Sequence, residues 1–452
     1  MVYILHDSKT TLLLFLVLAV VSSVLIRNQY GQLHEPSFAQ LDEPSFAQLP
    51  NINDPNLRVE VVFRGVEFPT SMAFLGPGDI LVLEKNEGTV KRIMNGTMLK
   101  EPLLDVNVAN QAERGMLGLA IKTDENGSTY AFIYYTEAKS GDGDEPIGNR
   151  IYRYELINNK LVNPKLLLEL PAIPRPIHNG GKIIVGPDNN VYLSIGDKKS
   201  YRPQTDEILN GTSGVLRITQ DGNPVSFEGI LGDKPPLNLY YAYGIRNSFG
   251  MDFDPVTGNL WDTENGPEYG DQINLVEPGF NSGWEKVQGI WIEHTKDSVI
   301  TAPDNGHKDL LDFDGKAKYS APEFTFLEEP GVTALEFLHS DKLGEKYEND
   351  IFVGSFNDGT IYHFDLDKDR RNLSLEDELI DKVADGKDKR GDITFGKGFG
   401  GITDIQVGPD GYLYILLLHQ GGNDCPEENR KDIKCIPYSS GVEGTLFRII
   451  SG

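Results

Sequence analysis

The chain has 452 residues, 39% of them hydrophobic and 24% charged, enough apolar material for a sizeable core. Asp and Glu number 68 against 42 Lys and Arg, a formal net charge of −26. That balance excludes a nucleic-acid partner, whose phosphates are neutralised by Lys and Arg, and disfavours adsorption to an anionic membrane surface. It suits neutral or cationic ligands and calcium.

Residues 1–26 carry an apolar run, TLLLFLVLAVVSSVLI from Thr11 to Ile26, behind Lys9. The run is shorter than the ~20 residues of a spanning helix and has the length of a signal-peptide core. Arg27 follows it without a clear small-x-small cleavage site, so a signal peptide and an uncleaved membrane anchor are both consistent with it. Either form predicts a location outside the cytoplasm, secreted or held at the outer face of the membrane, with no other membrane contact. Residues 27–56 read as a linker. The heptapeptide EPSFAQL occurs twice across Glu35–Leu49 among Pro, Ser, Gln and acidic residues.

From Leu57 the pattern becomes strand, tight turn, strand. The clearest copies are IIVGPDNNVYLSIGD, MDFDPVTGNLWDTENG and IQVGPDGYLYILLL, with looser ones between. Asp-Gly and Asn-Asn supply the positive-φ positions of hairpin turns. Some six copies, spaced more widely than the ~8–12 residues between strands of a sandwich, predict an all-β fold over 57–452. The expected architecture is a six-bladed β-propeller of four-stranded blades around a central channel. LRVEVVFRGV should pair with the C-terminal GTLFRII to close the ring. Cys425 and Cys435, the only two cysteines, bracket the polar loop CPEENRKDIKC and read as one local disulfide in an oxidising compartment.

Four segments in order, HNGGKIIVGPDNNVYLSIGD, YAYGIRNSFGMDFDPVTGNLW, ENGPEYGDQIN and NSGW, resemble the soluble glucose/sorbosone (aldose sugar) dehydrogenases. These are six-bladed propellers that use pyrroloquinoline quinone (PQQ) and calcium. The resemblance implies oxidation of a sugar hydroxyl, with an unidentified electron acceptor downstream. His178 falls at the position of the base, and an imidazole suits that role because its unperturbed pKa of ~6.5 lies near working pH. Asp197 falls at the carboxylate that orients it. Arg246 and Asn247 match the pair that contacts the reactive carbonyl, where a cation and an amide would stabilise developing negative charge. Gly266 and Pro267 would offer backbone oxygens to calcium, and Asp271 and Gln272 match a further calcium site in which the second position is usually glutamate.

The same resemblance exposes departures. Asn357 stands where the family has an anchoring lysine, and Gly401 and Thr403 where it has arginines that hold the quinone's carboxylates. Losing those cations should cost ~1.5–3 kcal/mol per charge-assisted hydrogen bond. Lys316, Lys318 and Lys397 are the candidate replacements. Glu113 replaces a glutamine that contacts substrate or cofactor, adding negative charge. His178, beside two glycines, is expected to bury little. Three functions remain open: a PQQ- and calcium-dependent sugar dehydrogenase; a non-catalytic extracellular propeller that binds glycan or protein; and a calcium-dependent lactonase-type hydrolase built on Glu264, Asn265 and Asp404.

Overall fold

The computed structural model describes residues 49–199, 203–204, 210–290, 309–418 and 443–452. The apolar run of residues 11–26, the EPSFAQL repeat up to residue 48, and both cysteines lie outside the described residues. Leu49–Gly452 forms one compact unit.

The described strands form six antiparallel-based sheets, taken here as I to VI in ring order. Sheet I contains Pro69–Gly76, Asp79–Glu84 and Thr89–Met94, and sheet II runs from Met116–Thr123 to Lys160–Leu170. Sheet III is built on Ile183–Val185, Val191–Ile195, Gly214–Ile218 and Tyr240–Tyr243. Sheet IV is built on Gly250–Phe253, Leu260–Glu264, Asp271–Val276 and Phe324–Phe326. Sheet V holds Val332–Phe337, Ile351–Ser355, Thr360–Phe364 and Thr394–Lys397. Sheet VI holds Ile402–Val407, Leu413–Leu417, Glu443–Ser451 and Leu57–Glu67.

The first strand of each sheet lies beside the first strand of the next, from I round to VI and back to I. Apolar layers follow the same circuit. Leu81 and Leu83 of sheet I pack with Met116 and Ile133 of sheet II, and Phe132 of II with Leu193 of III. Val215 of III meets Met251 of IV, Trp261 of IV meets Val353 of V, and Phe352 of V meets Ile415 of VI. Leu416 and Leu446 of VI pack on Ile80 and Val82 of I, completing the circle. Each fully buried side chain of this size contributes about 1.5–3 kcal/mol, so the layers hold the all-β propeller together. The alternation in each strand thus serves two neighbours at once, because both faces of every sheet are covered.

The recurrent Gly-Pro-Asp turn has its own explanation. In sheet III the Asp188 carboxylate accepts the Tyr192 hydroxyl at 2.9 Å and sits 3.7 Å from Arg217 on the third strand. In sheet VI Asp410 accepts Tyr414 at 2.9 Å and Arg448 at 2.7 Å. The aspartate therefore both makes the turn and ties three strands together.

Closure follows the expected pairing. Leu57–Glu67 runs antiparallel to Glu443–Ser451, with Val59 opposite Ile449 and Val61 opposite Phe447. The linker boundary moves. Asn51 and Ile52 pair with Lys397 and Gly396 at the edge of sheet V, and Asp54 accepts Lys346 at 2.8 Å and the Tyr347 hydroxyl at 3.1 Å. Ile52 is an apolar residue with a buried slot in the V–VI layer, and that burial starts the domain ahead of Leu57.

Candidate active site

The ring encloses a cavity of about 340 Å³, at the lower end of the ~300–1,000 Å³ of ligand pockets. Residues far apart in the chain meet there: Glu113, His178, Arg246, Asn247, Asn357 and Asp404 all line it.

His178 sits in the segment that leads into Ile183–Val185, with a φ of +57°. Gly180, at φ +61°, passes so close to the next strand that a Cβ there would lie 2.4 Å from the Ser194 carbonyl oxygen. Only glycine fits, and this tight passage presents His178 to the cavity. The histidine is 5% exposed, not the open loop residue expected from its glycine neighbours. Its burial comes from a specific partner, because Nδ1 lies 2.6 Å from Asp197 Oδ1. Asp197 is itself fixed on both oxygens. Oδ1 accepts the Lys199 N–H at 2.7 Å and Oδ2 accepts Trp284 Nε1–H at 2.7 Å. Facing a carboxylate, Nδ1 is the donor of this contact, and Nε2 is the ring's other nitrogen.

Glu113 and Asn247 hold this segment from behind. Glu113 Oε2 accepts the His178 backbone N–H at 2.6 Å and, at 3.4 Å, an Asn247 Nδ2–H. Asn247 Oδ1 accepts the Gly180 N–H at 3.0 Å. Arg246 donates from Nη1 to the Asn265 carbonyl at 3.0 Å and from its backbone N–H to Glu264 at 2.7 Å. Its guanidinium lies 5.3 Å from the Trp284 ring centre. Burial lowers the Arg246 pKa, opposed by Asp197, Glu264 and Glu113, and it remains a cation. The carboxylate, imidazole, guanidinium and amide thus form one connected set around Trp284, a residue the sequence offered only as part of NSGW.

The calcium-loop residues divide. Gly266 and Asp271 line the cavity, whereas Pro267 and Gln272 do not. Asp271 Oδ1 accepts the Gly266 N–H at 2.9 Å, and Oδ2 accepts Gly331 and Val332 N–H at 2.8 and 3.1 Å. Gln272 points the other way along its strand. It donates to Glu264 Oε2 and Ser282 Oγ, both at 2.9 Å, and accepts the Gly289 N–H at 2.9 Å. An amide suits that buried network, which already contains Glu264, and it is not placed to be a cavity ligand. Glu264 is likewise spent there, its pKa pushed up to about 8 by burial and Asp262. The sequence missed Glu329. It lines the cavity, and burial together with the charge of Asp271 pushes its pKa up to about 7.

The cation-poor positions are as the sequence shows, but the replacements differ. Asn357 is exposed at the cavity rim, Thr403 donates to the Leu416 carbonyl at 3.2 Å, and Gly401 faces the Phe356 ring. A Cβ at 401 would come within 2.9 Å of that ring, so an aromatic side chain occupies the space a long cation would use. Lys316, Lys318 and Lys397 are not among the lining residues; Lys85 and Lys182 are. Lys85 donates to Asn86 Oδ1 at 2.8 Å and the Asn110 carbonyl at 3.2 Å, and burial pulls its pKa down to about 7 against the pull of Glu113. Lys182 is bound to Asp404 at 2.8 Å. Burial works against its charge, yet Asp404, Glu336 and Asp252 hold its pKa above the usual value. The sequence singled out neither lysine: Lys182 lies within the HNGGK stretch but its partner Asp404 comes from sheet VI, and Lys85 lies in none of the four segments.

A propeller whose axial cavity carries an oriented histidine–aspartate pair beside a buried arginine belongs to a class of small-molecule enzyme scaffolds. The particular family is shown by sequence: residues 66–423 match the glucose/sorbosone dehydrogenase family model, and the chain belongs to that family. It is 24% identical over 377 residues to aldose sugar dehydrogenase YliI of Escherichia coli, covering 81% of this chain and 91% of that protein. An uncharacterised protein of Synechocystis is 26% identical over 391 residues, covering 82% and 86%. Among solved structures, the PQQ-bound aldose sugar dehydrogenase of Streptomyces coelicolor superposes with a TM-score of 0.60 at 20% identity, covering 88% of this chain and 99% of that one, a likeness of fold.

Proposed function

We propose that this protein is a PQQ-dependent sugar dehydrogenase, its six sheets acting as six blades around the catalytic cavity. The observation that carries this is His178, which lines the same cavity as Arg246 and Asn247 and is backed by Asp197 at 2.6 Å. Family membership supports the same reaction class.

The residues present fit the cofactor. Arg246 and Asn247 offer a cation and an amide to a quinone carbonyl, and Lys85 offers a cation to a carboxylate. When bound, PQQ supplies the two-electron acceptor. His178 Nε2 takes the proton of the sugar hydroxyl, and Asp197 stabilises the imidazolium that results. Glu113 and Asn247 keep the base-bearing segment in place by holding its backbone N–H groups. The surrounding apolar residues Phe68, Leu117, Phe249 and Phe356 limit water, which strengthens every polar interaction in the site.

Calcium is part of the proposal. Gly266, Asp271 and Glu329 converge on one end of the cavity, and hard oxygen donors with a shortage of positive charge suit that ion. Export, by signal peptide or anchor, is proposed from the run at residues 11–26 alone. The test is an absorption spectrum of purified protein mixed with PQQ and calcium, taken before and after an aldose. Bleaching of the oxidised cofactor band that requires calcium supports the assignment. A cofactor that binds and is never reduced by any aldose would leave a non-catalytic propeller.

A further inference from the structure

Asp350, His363 and Asp365 gather at the far end of sheet V from the cavity. Asp350 immediately precedes Ile351–Ser355, whose other end leads into Phe356 and Asn357 at the cavity. His363 lies on Thr360–Phe364 and Asp365 immediately follows it. His363 Nε2 is 2.9 Å from Asp350 Oδ2 and 3.3 Å from Asp365 Oδ1, and all three donor atoms lie within 4.8 Å of one another. Metal–ligand bonds of about 2.0–2.2 Å place neighbouring donors roughly 2.8–3.6 Å apart, and both measured separations fall in that range.

The imidazole is held in place. The Tyr347 ring packs edge-on at 5.0 Å and Phe352 lies 5.1 Å away between ring centres. The two carboxylates both approach its Nε2. The Asp365 side chain is 60% exposed, so water can reach the open side and complete the coordination.

We propose that Asp350, His363 and Asp365 form a binding site for a first-row divalent metal ion, zinc being the best match to one imidazole and two carboxylates. An imidazole ligand and only three protein donors disfavour calcium, which takes six to eight oxygens. Bound metal would clip together the open end of the hairpin formed by Ile351–Ser355 and Thr360–Phe364, where Ile351 pairs with Phe364. The site is structural and separate from the cavity.

The test is calorimetric titration of zinc into the full chain after chelator treatment, with cobalt absorption as a second reading of the ligand set. One zinc should bind, raise the melting midpoint by at least ~2 °C, and resist millimolar calcium. Asp365→Asn, at an exposed position that should not disturb folding, and His363→Gln should each weaken zinc at least ~10-fold. His178→Gln, which removes the cavity imidazole, should leave zinc binding unchanged. No zinc binding by folded wild-type protein would overturn the site, as would equal binding by the folded Asp365→Asn and His363→Gln variants. Loss of the zinc in His178→Gln would also overturn it, by moving the metal to the cavity. A plain His363–Asp350 ion pair is what would then remain.

Discussion

The arc of the cavity contributed by sheets II to IV and the arc contributed by sheets V, VI and I use the same strand-and-turn plan to different ends. The first arc is a closed polar network in which Glu113, His178, Asp197, Arg246 and Asn247 each bond to another member or to its backbone. The second mixes apolar Phe68, Phe356 and Leu418 with Thr70, Thr333 and Thr403 around an ionic post, Asp404, whose partner Lys182 comes from the segment entering sheet III. The difference teaches that ring closure is indifferent to what lines the axis. Apolar layers between sheets hold the fold, so the axial residues are free to specialise, as a connected polar set in one arc and as an ion pair among apolar and hydroxyl side chains in the other.

The sharpest way to break this division is to disable the polar arc without loosening the ring. His178→Gln keeps a hydrogen-bonding side chain near Asp197 but removes the base, and should lower turnover ~10²–10⁴-fold with little change in melting. Equal turnover would return the catalytic role to some other group. In the second arc the ionic post should matter to stability instead. Asp404 accepts the Met72 N–H at 2.9 Å as well as Lys182, so Asp404→Asn strips a buried lysine of its hydrogen-bonded carboxylate and leaves only the more distant Glu336 and Asp252. Denaturant unfolding should show a loss of about 3–5 kcal/mol. A change under ~1 kcal/mol would mean that water solvates Lys182 in the native state.

Restoring the absent cations sharpens the comparison further. Gly401→Arg should destabilise by about 1–3 kcal/mol because Phe356 holds the space, whereas Asn357→Lys with Thr403→Arg should fold normally and tighten PQQ binding ~10-fold. Unchanged affinity in that double variant would show that carboxylate anchoring does not limit binding. The smallest effect belongs to Lys85. Its pKa near 7 lies below the ordinary 10.5, so between those values the folded protein has given up a proton the unfolded chain still holds, and the cost of burying the charge, fully present below about pH 7, is lost as pH rises toward 10.5. An anionic ligand favours the charged form. Its affinity should therefore fall as pH rises through 7, by up to ~10-fold per unit, and Lys85→Gln should flatten that slope in an equilibrium binding titration.

Much of this was legible in the chain. Turns such as Gly186-Pro187-Asp188 and Gly408-Pro409-Asp410 marked the hairpins because backbone conformation is a local property, and the alternation around them exposed the strands. The pairing of the first and last strands followed from the need to leave no open edge. His178, Arg246 and Gly266 were found through their motifs. Lys85, Glu329 and Trp284 were not, since what makes each matter is a neighbour brought from a different sheet. Gln272 shows the converse: the resemblance placed it at a calcium site, but alternation along its strand turns it into the Glu264 network. The burial of His178 was likewise invisible, because glycines beside a residue suggest openness when, as at Gly180, they can mean that another backbone passes too close for any side chain.

Sheet VI joins Leu57–Glu67 to Glu443–Ser451, nearly the two ends of the domain. A ribosome delivers residues in order, at roughly 5–20 per second, so the opening strand must wait tens of seconds for its partner. Until then the nascent chain carries an unpaired strand at its front and an incomplete apolar layer against sheet I. The cavity, which draws on residues from Phe68 to Leu418, has no earlier form in which it could hold a ligand. Chaperone protection during synthesis therefore acts on a chain whose seam is still open, and removal of the last strand alone should leave a protein that never acquires its site.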